Sequence, residues 1–427
     1  MNENYLIFFN AILEKLNRAT ARSAITYGLV SFITQWLMMV YLIIVANWLE
    51  AGGYGFIAAA YSAALLSSFL FNWGLNEWMI KEGSINDNPE ALGAKVIFFK
   101  LIIGIFWAVG LWLILRLARP ELFLADILVV VILDVWFDSL FGTLLVILVL
   151  QTRVMLASIF LALSRIIRLL TGVLLIVFGM KAVFPFPLTR LLCTFLMFTI
   201  ALIIARPSFK FGDGLTPWKL FLKSSPFNVG MFLNLIYMNV DVNLLSLLGA
   251  DRSLVANYSV VISLLNATIT LPSGVYNILL PPLTRFYHEY KERFFSYFRF
   301  IFAGFGVLGL IFFVSVILLG APLMNLFFGE DYSDSGKFIV MLSPLFGLMT
   351  LNQANVAYLV SVGLQAKRLI PQSIVVVLKI LFGIWVVSRW KAGGMTVVST
   401  IAEFTLVGGY LFMVVKHFRQ SHKLNFT

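Results

Sequence analysis

Charged residues are scarce in this chain: they make up 12% of its 427 residues, whereas soluble domains have roughly 25%. Hydrophobic residues make up 61% of the sequence, and the mean hydropathy is +0.96. A soluble protein of this length does not cover its surface with so few charges. The composition therefore predicts a polytopic membrane protein.

Other absences exclude whole classes of function. The single cysteine, Cys193, excludes an internal disulfide. The sequence has no GxxxxGK[ST] phosphate loop, no HExxH pair and no GxSxG elbow. We therefore expect no ATP hydrolysis, no cofactor, no metal and no enzymatic activity. Any energy that the protein needs for its function must then come from a gradient or from a partner. The net charge of +11 fits Lys and Arg in cytoplasmic loops better than it fits nucleic-acid binding.

Long apolar runs predict transmembrane helices, and the alternating pattern of a β-barrel strand is missing. Each helix needs about 20 residues to cross the hydrocarbon, which gives about twelve spans in an all-α protein. The predicted spans are 24–46, 56–80, 95–115, 126–150, 155–180, 187–205, 226–249, 253–280, 297–320, 337–362, 370–390 and 393–416.

The connection 206–225 is the longest and lies in the middle of the chain. It predicts a cytoplasmic linker between an N-terminal six-helix bundle, 1–205, and a C-terminal one, 226–427. Paired bundles around a central site are common in transporters. The excess of Lys and Arg on one side predicts that both termini are cytoplasmic.

Two successive spans carry the charges Asp134, Asp138, Arg165 and Arg168. Each costs about 2.5–3.5 kcal/mol to insert at mid-membrane. Asp138 and the two arginines lie at similar distances from a predicted turn near Thr152, on the order of 20 Å away, so the two helices can pair them. Two interpretations stay open: a purely structural ion pair, or a polar wall whose arginines contact an anionic group.

The second half of the chain repeats this pattern. Lys379 and Glu403 flank a predicted turn near Lys391 at matching depth, which allows them to pair. Asp241 has no obvious partner within its helix, so it is a candidate proton or cation site or a helix–helix anchor. Lys100 lies nearer a helix end, where its side chain can extend to the membrane interface.

Several short motifs resemble those of one transporter family. They are, in chain order, WLEAGGYG at 48–55, FNWGLN at 71–76, DVNLLSLLG at 241–249 followed by VANYS at 255–259, LLPPLTRFY at 279–287 and FGEDY at 328–332. In this order they resemble the polysaccharide transporter branch of the MOP exporter superfamily, the Wzx-like lipid-linked oligosaccharide flippases. At 256–257 the chain has Ala-Asn where the family usually has glycine.

The resemblance implies two six-helix bundles around a central cavity with alternating access, in the bacterial inner membrane. It implies a flippase that moves undecaprenyl-diphosphate-linked repeat units to the outer leaflet for O-antigen of lipopolysaccharide, capsule or a similar glycan. A proton or sodium gradient, the lipid bilayer and the polymerase and chain-length machinery are the implied partners. We expect Arg165, Arg168 and Lys379 to line the substrate cavity. Coupling or cavity ion pairs are expected at Asp134, Asp138, Asp241 and Glu403.

Three other functions stay open on the sequence. A non-transporting scaffold would not require matched charges at mid-depth. A multidrug exporter of the same superfamily is expected to have a cavity rich in carboxylates rather than cations. A membrane-embedded glycan polymerase or ligase is expected to have a large catalytic loop outside the membrane, and the predicted outer loops are short.

Overall fold

The computed structural model describes residues 18–83, 88–208, 217–289 and 291–423, and these residues form helices without any strand. The prediction of an all-α protein is therefore confirmed. The helices are α1 Arg18–Ser67, α2 Phe69–Asn72, α3 Leu75–Gly83, α4 Pro89–Ala118, α5 Ala125–Leu150, α6 Val154–Val177, α7 Pro185–Ala205, α8 Pro217–Leu247, α9 Arg252–Glu289, α10 Lys291–Phe328, a 3-10 turn Glu330–Tyr332, α11 Ser333–Met341, α12 Ser343–Ser361 and α13 Gln365–Lys423.

Within the described ranges, nine helices are long and apolar enough to cross a membrane, or ten if α11 and α12 form one span bent by 48°. Two of the longest helices contain a break. Glu50 interrupts α1 and Lys391 interrupts α13, both with non-helical backbone angles. The predicted connection 47–55 is thus a kink at Glu50 in an otherwise helical segment. The total of twelve spans stays a prediction.

The predicted span 56–80 is not continuous. Helix α1 ends at Ser67, and Trp73 and Gly74 both have positive φ, at 43° and 63°, between the short helix α2 and α3. Glycine accepts this conformation at little cost, whereas a tryptophan rarely does. The break turns Asn72 and Asn76 towards α5, where the Ser139 hydroxyl bonds the Asn72 side chain and Thr143 bonds Asn76.

Lys100 lies beside this break, and its predicted extension to the interface is wrong. Its side chain is fully buried, and the ammonium donates to Asn76 Oδ1, Ser139 Oγ and Thr143 Oγ1 at 3.0 Å each. Three oxygens satisfy its three N–H donors inside the bundle, so the side chain has no need to reach water.

The two halves of the chain pack mainly within themselves and meet along α1 and α9. Gly55 marks a close approach, since a Cβ there would lie 2.2 Å from the Arg252 carbonyl oxygen. Nearby, Tyr332 Oη donates to the Ala46 carbonyl at 3.1 Å. Helix α8 begins at Pro217, so the end of the predicted linker is helical, whereas 209–216 lie outside the described residues. The predicted boundaries of the two bundles stay a prediction.

Candidate functional site: a cavity with a cationic wall

Asp134 and Asp138 lie one turn apart on α5 and face α6 and α7. The Asp134 side chain is fully buried, and the Asp138 side chain is 35% exposed. Asp134 accepts hydrogen bonds from Tyr61 Oη at 2.7 Å and from Thr194 Oγ1. Burial of a carboxylate costs free energy unless such partners satisfy its oxygens. These contacts therefore stabilise the charged side chain of Asp134 within the helix bundle.

Arg168 links the two carboxylates. Its Nη2 donates to Asp138 Oδ1 at 2.5 Å and to Thr194 Oγ1 at 2.6 Å, and lies 3.9 Å from Asp134 Oδ1. Arg165 lies farther from Asp138, at 3.7 Å. The structure therefore brings all four predicted charges together. The turn that joins α5 and α6 lies at Thr152, as expected.

Arg190, on α7, completes the cluster and was missed by the sequence analysis. Its Nε lies 2.8 Å from Asp134 Oδ2, and its guanidinium stacks over the Tyr61 ring at 4.1 Å. It lies three residues inside the predicted span 187–205, where an arginine usually extends to the interface. The position of Arg190 between Pro187 and the apolar run was the signal available in the sequence. Only the packing of α7 on α5 shows how deep in the helix bundle its guanidinium lies.

A cavity of about 370 Å³ opens beside this cluster, within the range of small-ligand pockets. Both segments of α1 and helices α5 to α9 line it, and the charged residues among its walls are Asp138, Arg165 and Arg190. The side chains of Arg165 and Arg190 are 21% and 22% exposed. Three tyrosines of α1, Tyr41, Tyr54 and Tyr61, also line it.

The cluster has an excess of positive charge. Three guanidinium groups, those of Arg165, Arg168 and Arg190, face two carboxylates, which leaves a formal charge of 3 − 2 = +1. Arg168 is fully buried behind the wall, so it does not face the cavity. It adds to the charge of the cluster through its ion pairs with Asp134 and Asp138. Arg165 and Arg190 are the arginines that present donors to the cavity. Such planar, fixed donors suit phosphate and carboxylate groups.

In the second half of the chain, the predicted pairing of Lys379 with Glu403 is wrong. Lys379 Nζ lies 2.6 Å from Asp241 Oδ1 and donates to the Tyr237 carbonyl at 2.9 Å. Asp241 also accepts from Ser399 Oγ at 2.6 Å and from Tyr258 Oη at 3.1 Å. Asp241 is therefore not a lone carboxylate, because α8 brings it to the lysine from a distant part of the sequence.

Glu403 has a different environment. It is 1% exposed, and Asn352 Nδ2 donates to its Oε1. Its Oε2 has no hydrogen-bond partner among the described residues. Glu403 thus keeps one unsatisfied oxygen, whereas Asp241 has a cation beside it.

A larger groove of about 680 Å³ lies between the two segments of α13. Lys379 is the charged residue of its lining, and that ammonium already pairs with Asp241. Phe382 and Trp385 line the same groove and are about half exposed, as expected of a surface that faces lipid. The groove lacks exposed charged groups such as the arginines that make the first cavity the candidate site.

Residues 20–282 match the sequence profile of the family described as polysaccharide biosynthesis protein. The chain belongs to this family. The match confirms the predicted resemblance to the polysaccharide branch and covers α1 to α8, most of α9 and every element that lines the cavity. A comparison with curated protein sequences gives no match.

Solved structures with the same fold are flippases and transporters of the MOP superfamily. A lipid II flippase MurJ in an inward closed conformation aligns with a TM-score of 0.74 at 15% identity, over 91% of this chain and 87% of that one. An inward-facing MATE family multidrug resistance transporter aligns with a TM-score of 0.72 at 13% identity, over 90% and 96%. The outward-facing form of such a transporter has a TM-score of 0.63 at 13% identity, over 94% and 97%.

These likenesses establish the fold of this family member as that of MOP transporters. The expectation that the chain is a membrane transporter rather than an enzyme agrees with the family and with these folds.

Proposed function

We propose that the protein translocates undecaprenyl-diphosphate-linked oligosaccharide repeat units from the cytoplasmic to the outer leaflet of the bacterial inner membrane. The translocated units serve the assembly of a surface polysaccharide such as O-antigen or capsule. The observation that carries this proposal is the cavity wall formed by Arg165 and Arg190. Their exposed guanidinium groups and the surplus positive charge suit a diphosphate, and the family match supplies the link to polysaccharide synthesis.

The rival function, export of cationic drugs, fits this cavity less well. Asp138, the carboxylate in its wall, is already paired with Arg168 at 2.5 Å. Asp134 is buried behind the wall and is held by Arg190 at 2.8 Å. A cationic drug would meet two arginines and no unpaired carboxylate there.

Alternating access driven by a proton or sodium gradient is part of the proposal. We place the coupling group in the second half of the chain, where Glu403 is buried with one unsatisfied oxygen. A buried carboxylate without a cationic partner must bind a proton or a cation to be stable. Asp241 is less suited, because Lys379 already neutralises it.

Single and double alanine variants of Arg165 and Arg190 test the function. We expect each variant to reach the membrane and to reduce surface glycan, and the double variant to abolish it, because the diphosphate loses its donors. Lysine at either position should restore surface glycan only in part, since an ammonium lacks the planar, paired donors of a guanidinium. The matched control is Arg389→Ala, because Arg389 also stacks on an aromatic ring, at 4.7 Å, but lies outside the cavity. Normal glycan output from the double variant would rule out the proposed role of the wall.

A further inference from the structure

Three polar residues form a stripe on α9. Ser259, Ser263 and Asn266 follow one another at spacings of four and three residues, which places them on one face of the helix. All three line the cavity. They belong to the second half of the chain, whereas the cationic wall belongs to α6 and α7.

The side chains of this stripe form no hydrogen bond with the described part of the chain, which is unusual for this helix. In the same helix, Thr268 donates to the Leu264 carbonyl and Thr270 to the Asn266 carbonyl. Polar side chains in membrane helices usually bond their own backbone or a neighbouring helix. Donors and acceptors of the stripe are therefore available to whatever occupies the cavity.

The chemistry of the stripe differs from that of the arginines. Hydroxyl and amide groups are neutral and both donate and accept hydrogen bonds. Sugar hydroxyls have the same properties, and an anion gains little from such groups beside two arginines. The cavity thus presents an anion-binding wall and a neutral wall suited to the hydroxyls of a glycan.

We propose that Ser259, Ser263 and Asn266 bind the glycan portion of the substrate and determine which repeat unit is accepted. This inference rests on the proposed function, and it assigns to the stripe a recognition step separate from binding of the diphosphate.

The test compares two ligands on the purified full-length protein. One is bare undecaprenyl diphosphate, and the other is the undecaprenyl-diphosphate-linked oligosaccharide that accumulates in source cells lacking this gene. Binding is followed by tryptophan fluorescence in nanodiscs. For the wild type we expect tighter binding of the glycan-bearing lipid. In the double variant Ser263→Ala/Asn266→Ala this preference should fall about tenfold, as expected for two lost neutral hydrogen bonds.

Two further variants separate the possible outcomes. Thr268→Ala removes a hydroxyl that bonds its own helix, and it should keep the wild-type preference. Arg165→Ala should weaken binding of both lipids. A wild type that binds both lipids equally, or a stripe variant that keeps the preference, would overturn the inference while leaving the flippase proposal intact. If no glycan-bearing lipid accumulates, or if neither lipid binds the wild type, the proposed function itself fails.

Discussion

Replacement of Asp134 by asparagine tests whether the buried charge cluster stabilises the first half of the chain. The Asp134 side chain is fully buried and lies 2.8 Å from Arg190 and 3.9 Å from Arg168. Asparagine keeps the shape but removes the charge, so the formal charge of the cluster rises from +1 to +2. Breaking a buried ion pair from one side costs about 3–5 kcal/mol. We expect a loss of that size in the free energy of unfolding, measured by SDS titration in mixed micelles with tryptophan fluorescence.

The second variant, Arg190→Gln, completes a double-mutant cycle. The double variant keeps Arg165, Arg168 and Asp138, so its formal charge returns to 2 − 1 = +1. We expect it to be about 1–3 kcal/mol more stable than the sum of the single effects predicts, because neither partner is left without the other. Asp126→Asn is the control, since Asp126 lies on the exposed first turn of the same helix and should cost at most about 1 kcal/mol. Additivity within about 0.5 kcal/mol would refute the pairing.

Two other predictions concern the contact between the halves and the coupling group. Gly55→Ala should lower the melting temperature through an overpacking cost of about 1–3 kcal/mol, because its Cβ would lie 2.2 Å from the Arg252 carbonyl oxygen. Gly52 lies in the same helix with open space around it, so Gly52→Ala should leave the melting temperature unchanged. Equal melting temperatures of the two variants would contradict the close approach of Gly55 to Arg252. Glu403→Gln should abolish the dependence of vesicle transport on a proton or sodium gradient while the folded protein still binds its lipid substrate. Gradient dependence equal to wild type would remove Glu403 from coupling.

Depth matching within a hairpin predicted the N-terminal cluster and failed for the C-terminal one, for a physical reason. Asp138 and Arg168 lie on consecutive antiparallel helices, so their distances from the turn at Thr152 fix their relative depth. Lys379 and Glu403 satisfy the same condition, but depth does not fix the direction in which a side chain points. Asp241 approaches Lys379 from α8, and nothing in the sequence indicates that contact.

Arg190 and Lys100 show a second limit of the sequence. Each lies close enough to the end of an apolar run to suggest an interfacial position. Arg190 is instead held by Asp134 and Tyr61. Lys100 is held by Asn76, which follows the break after α2, and by two hydroxyl groups of α5. The acceptors come from other helices and from an irregular backbone, so composition and periodicity do not reveal them.

Exposure separates the charges that can act on a substrate from those that only hold helices together. Asp241 and Lys379 are at most 5% exposed and neutralise each other, so their pair offers no net charge to a ligand. Arg165 and Arg190 are about one-fifth exposed. Asp134 and Asp138 balance only two of the three guanidinium groups of the cluster, so one positive charge remains. An anionic group therefore gains more at the first-half wall than anywhere near the Asp241 pair. If the diphosphate is held there, the neutral stripe of α9 lines the same cavity and can provide polar contacts for the attached glycan.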